Sequence, residues 1–219
     1  MEKTWWREGY RRIAGVDEAG RGALFGPVVA AAVVLPPDWD QGKAPGLADS
    51  KLLSPEKRES LYDLIVAEAD AVAVGVIAAA VIDKVGIVPA TVAAMSEALG
   101  HLSVRPDMII VDGPGPLPVG YRACAVIDGD ALCGSVAAAS VVAKVTRDRL
   151  VCELAVSFPE YGLEHNKGYG TEEHLRALKQ FGPCRLHRRS YAPVAAAWGR
   201  CPFLDCLHPP VDDDSAAIS

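Results

Sequence analysis

The chain is 219 residues long and half apolar, with 28 acidic against 22 basic residues and a formal net charge of −6. That length supports one sizeable core with room for a small appendage, and no apolar run is both long and charge-free enough to span a bilayer. The opening MEKTWWREGYRR is too polar for a signal-peptide core, so a soluble cytoplasmic protein is expected.

The negative charge argues at first against a polyanionic partner, but it is unevenly placed. Beyond Arg200 stand Asp205, Asp212, Asp213 and Asp214 with no Lys or Arg, leaving 24 acids against 22 bases in residues 1–200. One folded domain over 1–200 and an acidic tail over 201–219, poorly ordered at its end, follow from this shift. The six cysteines form no CxxC pair, which fits small core residues in a reducing compartment better than a zinc ribbon, a redox dithiol or disulfides. The group Cys201, Cys206 and His208 has no matching second half.

In chain order, IAGVDEA and PVVAAAVVLP are Val-rich runs separated by a Gly-rich turn, predicting two antiparallel strands. SPEKRESLYDLIVAEA reads as a helix capped by Ser54, with Pro55 at its first position and Leu61, Leu64 and Ile65 on one face. DAVAVGVIAAAVI supplies a third strand and VPATVAAMSEALGHL a second helix. PDMIIVDG is a continuous apolar run ending in an acid, as a buried parallel strand would, and YRACAVIDGD repeats the pattern. ALCGSVAAASVVAKVTRDRLVCELAVSF reads as one long helix whose small residues permit close packing, with a polar turn at Lys144, Arg147, Asp148 and Arg149. TEEHLRALKQFG is a last helix, capped by Thr171 and stopped by Gly182. The order describes an α/β protein with a mixed sheet, flanking helices and a helical C-terminal part.

Chemistry concentrates in four places. Asp17 and Glu18 in GVDEAGRG, with Asp112 and Asp130 in two Asp-Gly sequences, would place carboxylates at the carboxyl ends of strands, where open α/β sheets build sites. Each acid alone reads as a solvated strand end. Gathered without His or Cys, they form a hard oxygen set suited to Mg²⁺ or Mn²⁺, and a pair of such ions could promote in-line attack on a phosphate. Because consecutive strand residues face opposite ways, a break in regular strand geometry is expected at Asp17 and Glu18. Gly20, Arg21 and Gly22 expose main-chain amides to a sugar or phosphate, or form an ordinary turn. In HNKGYGT, Lys167 can contact phosphate and Tyr169 can stack, or the segment simply leads into a helix cap. Arg188 and Arg189 in HRRSYAPV form a phosphate clamp or a solvated basic turn.

Taken together, GVDEAGRG, LADSKLLS, VDG, DGD, SVAAASVVAKVTRDR, NKGYGT and HRRSYAPV, in that order across about residues 13–194, resemble the bacterial type 2 ribonuclease H family, ribonuclease HII. The resemblance implies a ribonuclease H-like fold and catalytic domain. It also implies cleavage of the RNA strand of RNA–DNA hybrids, and 5′ to single ribonucleotides in duplex DNA, leaving 3′-hydroxyl and 5′-phosphate ends. It places the metal-binding and catalytic acids at Asp17, Glu18, Asp112 and Asp130, served by two Mg²⁺ or Mn²⁺ ions. The loop sensing the ribose 2′-hydroxyl falls on Gly20, Arg21 and Gly22, and the tyrosine at the ribonucleotide–deoxyribonucleotide junction on Tyr169. Further substrate contacts are implied at Lys51, Lys144, Arg147, Lys167 and Arg188, and His165 and His187 are expected to be structural or phosphate-binding. Leu52 replaces a lysine common after Lys51, and the segment before Ile13 is too short for the extra domain of ribonuclease HIII. The tail carries no clear clamp-binding motif, and a monomer is implied. The rivals are a ribonuclease H-fold nuclease acting on DNA junctions and a non-catalytic hybrid-binding module.

Overall fold

The computed structural model describes residues 2–39, 42, 44–47 and 53–198; Lys51 and the acidic tail with Cys201, Cys206 and His208 lie outside them. Five strands pair in the order β3-β2-β1-β4-β5. They are β1 (Ile13–Ala19), β2 (Val28–Val34), β3 (Ala71–Ile77), β4 (Met108–Asp112) and β5 (Ala123–Val126). The first three are mutually antiparallel, whereas β1–β4 and β4–β5 are parallel. The sheet therefore changes character at β1, and β1 and β4 end side by side.

Every residue of β2 is buried, because helices cover both faces of the sheet. On one face, α4 (Ile87–His101) sets Ala90, Ala94, Met95 and Ala98 against Ala14, Val16, Ala30 and Ile109. On the other, α6 (Gly134–Ala155) packs Ala137, Val141 and Val145 against Ala19, Ala31 and Val33, with α2 (Pro55–Glu68) beyond it. The approach of α6 to β1 is close: a Cβ at Gly15 would lie 2.1 Å from the Ser135 carbonyl carbon. Small residues on the helix make this contact possible, as its sequence predicts. Ser54 Oγ accepts the Lys57 amide and caps α2, as expected.

Three expected boundaries move. The apolar run after Ala71 divides into β3 and a short helix α3 (Ala79–Val85), since an all-apolar stretch carries no period to separate strand from helix. The predicted long helix is broken at Cys133, whose extended backbone separates α5 (Gly129–Leu132) from α6. Asp130 thus sits on α5 and not at the end of a strand.

The N-terminal helix α1 (Glu2–Arg7) was not legible as an element. Buried Glu2 accepts the Gly134 and Ser135 amides at 2.9 and 3.0 Å, together with the Ser135 hydroxyl. A carboxylate there satisfies orphan donors at the start of α6 and complements its dipole. The C-terminal part adds α7 (Leu163–Asn166), α8 (Glu172–Phe181) and α9 (Ala192–Trp198) around a separate core containing Phe25, Tyr161, Leu178 and Val194. Thr171 caps α8 and Gly182 ends it, as expected. Among the described residues no helix is long and apolar enough to cross a membrane.

Candidate active site

A groove of ≈ 360 Å³ opens where β1 and β4 end, lined by Asp17, Glu18, Gly20, Arg58, Asp112, Ser140, Lys144 and Tyr169. The expected break in β1 is absent: pairing with β2 runs without interruption through Asp17↔Ala31, Glu18↔Ala30 and Ala19↔Val29. What opens the site is the other edge of the strand, where pairing with β4 stops at Val16↔Val111. Asp17 then enters from the α6 face and Glu18 from the α4 face, meeting Asp112 at the crest between them.

The acids are held by short contacts. Asp17 Oδ1 accepts the Glu18 amide at 2.7 Å, and Asp112 Oδ1 accepts the Gly129 amide at 2.7 Å. Burial of Asp17, then the charges of Glu18 and Asp112, raise its carboxyl to about 7, while the Ser140 hydroxyl from α6 and the Glu18 amide oppose that rise. Asp130 is buried and lines an adjoining pocket with Cys133, Gly134 and Ala137, one residue from the amide that holds Asp112. Among the described residues no three His, Cys, Asp or Glu side chains form a ready chelating cluster. The all-oxygen set nevertheless fits a hard divalent cation, which would relieve the penalty that raises Asp17.

The Gly-Arg-Gly turn borders the acids. Arg21 pairs with Glu18 at 3.0 Å, both partly accessible. Gly20 is required internally: it has φ +90, and a Cβ there would lie 1.9 Å from Arg147 Nε. Gly22 is exposed and a Cβ there would meet nothing within 4 Å, so no packing inside the protein requires a glycine. Tyr169 stands across the groove with Lys144 Nζ 5.3 Å and Arg147 Cζ 5.1 Å from its ring centre. Lys144 also pairs with Asp148 at 2.8 Å.

Three of the residues expected to contact substrate make hydrogen bonds within the protein. Lys167 donates its ammonium to the Glu164 carbonyl at 2.6 Å and to Cys152 Sγ at 2.8 Å. Arg147 is fully buried and donates to the carbonyls of Pro27, Phe25 and Lys167 at 3.0–3.1 Å. Arg188, also fully buried, donates to the carbonyls of Gly26 and Arg21 at 3.0 and 2.9 Å and to Tyr191 Oη at 3.1 Å. Burial lowers the pKa of both guanidinium groups, yet the ring of carbonyls stabilises the cation. All three brace the loops from within: Arg147 donates only to main-chain oxygens, Lys167 also to Cys152 Sγ, and Arg188 also to Tyr191 Oη.

Sequence reasoning missed Ser140 and Arg58, which line the groove. Ser140 looked like one small residue among many on a packing helix, and Arg58 like an exposed member of α2. His187 is buried, with Nε2 3.0 Å from His174 Nε2, and His174 Nδ1 lies 2.9 Å from the Tyr169 carbonyl. Both His187 ring nitrogens are engaged within the protein, Nδ1 accepting the Cys184 amide at 3.0 Å. His165 is exposed on α7. Cys124, Cys133, Cys152 and Cys184 are free thiols, and burial pushes Cys133 and Cys184 up to about 11.

Solved structures with this architecture define the class. Ribonuclease H2 from Pyrococcus horikoshii OT3 aligns with TM-score 0.74 and 28% identity over 86% of this chain and 98% of its own. Ribonuclease HII from Archaeoglobus fulgidus, solved in complex with PCNA, aligns with TM-score 0.70 and 27% identity over 82% and 95%. The fold, with acids at the meeting of β1 and β4, is that of a ribonuclease H.

Sequence comparison narrows the class. A family model for ribonuclease HII matches residues 14–194. Ribonuclease HII of Dehalococcoides mccartyi is 48% identical over 193 residues, covering 88% of this chain and 92% of that protein. Ribonuclease HII of Bacillus subtilis is 50% identical over 193 residues, covering 88% and 74%. The chain belongs to the ribonuclease HII family, and it is an enzyme with ribonuclease H activity.

Proposed function

We propose that this enzyme cuts the RNA strand of RNA–DNA hybrids and cuts 5′ to single ribonucleotides in duplex DNA, with Mg²⁺ or Mn²⁺ held by Asp17, Glu18, Asp112 and Asp130. The observation that carries the reading is the contiguity of Asp17, Glu18 and Asp112 with Gly20 and Tyr169 along one groove. Bound divalent cations would offset the carboxylate charge, activate water and stabilise the departing 3′-oxygen. Ser140 orients Asp17, and the Gly129 amide fixes Asp112. The Gly20–Gly22 main chain inspects the 2′-hydroxyl, Tyr169 packs at the sugar junction, and Lys144 with Arg58 faces the phosphate backbone.

The 2′-hydroxyl is recognised without acting as nucleophile, so the products carry 3′-hydroxyl and 5′-phosphate ends. No imidazole is needed for that chemistry, in keeping with a His174–His187 pair sealed in its own core. Residues 1–200 form the catalytic domain and 201–219 a tail. The protein acts as a cytoplasmic monomer on these nucleic acids.

The test is cleavage of a long RNA–DNA hybrid by wild type and by Asp17→Asn. Wild type cuts the RNA strand and chelator stops it. The variant, with wild-type thermal unfolding, loses turnover by more than about 10³-fold, the scale expected when a preorganised charge-stabilising group is removed. Near-normal turnover in the variant would remove Asp17 from the site, and tight binding without cutting by wild type would favour a non-catalytic module.

A further inference from the structure

Arg147 belongs to α6, the helix that also carries Ser140 and Lys144, yet its guanidinium donates to three carbonyls outside that helix. Nε and Nη2 donate to Pro27 and Phe25, carbonyls of the segment that continues the Gly-Arg-Gly turn, at 3.1 Å each. Nη1 donates to Lys167, in the loop that carries Tyr169, at 3.0 Å. Lys167 has φ +50, so its carbonyl is turned by a backbone conformation that only tertiary contacts sustain in a long side chain. The guanidinium also lies under Tyr169 and fills the space that glycine leaves at Gly20.

A second contact seals the same junction. The Leu24 and Phe25 amides both donate to the Gly168 carbonyl, at 2.8 and 3.2 Å. A Cβ at Gly168 would lie 2.8 Å from the Phe25 carbonyl oxygen, at φ +81. The two loops meet face to face with Arg147 between them. Lysine cannot replace this group, because a single ammonium cannot span three carbonyls in a planar fork.

We propose that Arg147 is a positioning residue for ribonucleotide selection, fixing the separation of the 2′-hydroxyl-sensing turn from Tyr169 so that both engage one sugar junction. This rests on the reading of the Gly20–Gly22 turn and Tyr169 given above. Arg188 serves differently: its hydrogen bonds tie Arg21 to Gly26 within the turn segment. The selectivity of the enzyme is thus a distance held by one buried cation.

The experiment is a double-mutant cycle on selectivity, the ratio of kcat/KM for a duplex with one ribonucleotide to that for a long hybrid. Arg147→Lys lowers this ratio by about tenfold in the wild-type background and by less than about twofold in the Tyr169→Ala background, as coupled contacts require. Additive effects, or an unchanged ratio with only a lower unfolding temperature, would reduce Arg147 to a structural cation and overturn the proposal. Should Arg147→Lys not fold, Gly168→Ala displaces the same junction from the opposite side and must show the same non-additivity; additive losses there overturn the proposal equally. If wild type cuts all-DNA duplex as fast as the one-ribonucleotide duplex, the functional reading fails and not the clamp alone.

Discussion

Gly20 and Gly22 carry the same letter for opposite reasons. Gly20 has positive φ and Arg147 packed where a Cβ would go, whereas Gly22 has open space around it. Gly22→Ala should therefore unfold within about 0.5 kcal/mol of wild type, as surface substitutions do, while losing about tenfold or more in kcat/KM on a ribonucleotide-containing duplex. Denaturant unfolding and steady-state kinetics on one preparation check both halves; unchanged kinetics would mean that nothing approaches Gly22. The grouping of Asp17 and Glu18 with this turn was legible in GVDEAGRG, because the residues are adjacent. The direction of Arg147, Lys167 and Arg188 was not. A basic residue near a loop reads alike whether its donors face solvent or buried carbonyls, and Pro27 and Phe25 are far from Arg147 in the chain.

At the scale of elements, two strand ends and one helix build the site. The parallel character of β4 and its terminal Asp112 follow from a continuous apolar run ending in Asp, whereas the pairing of β4 with β1 is not legible in either run. The irregularity expected in β1 is replaced by the end of its pairing with β4, an event on a neighbouring strand that the sequence of β1 does not encode. The Tyr169 loop rests on a buried link from the Cys184 amide through His187 and His174 to the Tyr169 carbonyl. The link works with both rings neutral: His187 accepts from Cys184, donates to His174, and His174 donates to Tyr169. Burial, with His174 beside it, pushes His187 down to about 3, and burial lowers His174. Between about pH 3 and 6.5 the unfolded chain then binds protons that the native state excludes, so native stability falls as pH falls through that window. The slope is about 1.4 kcal/mol per pH unit for each histidine fully neutral when folded and charged when unfolded. Denaturant unfolding between pH 7 and 5 should show a steeper loss in wild type than in His187→Asn; equal slopes would mean that the native pair is protonated.

At the scale of the molecule, the excess of acids does not oppose a nucleic-acid substrate. Four of the acids lie beyond Arg200, and Asp17, Glu18 and Asp112 line one groove, where we propose they hold cations. The extension before the family-matched residues is built in as well, since Glu2 caps the helix that carries Ser140, Lys144 and Arg147. No feature of MEKTWWREGYRR marks Glu2 as buried, because its partners are amides more than a hundred residues away. In the proposed function the acids that hold metal adjoin a turn that inspects the sugar, so cutting should depend on a single hydroxyl group. The direct measurement is the initial rate on a DNA duplex containing one ribonucleotide beside the identical all-DNA duplex, in the same Mg²⁺ or Mn²⁺ buffer. The account predicts a cut 5′ to the ribonucleotide and no cutting of the all-DNA duplex; equal rates on the two would contradict it.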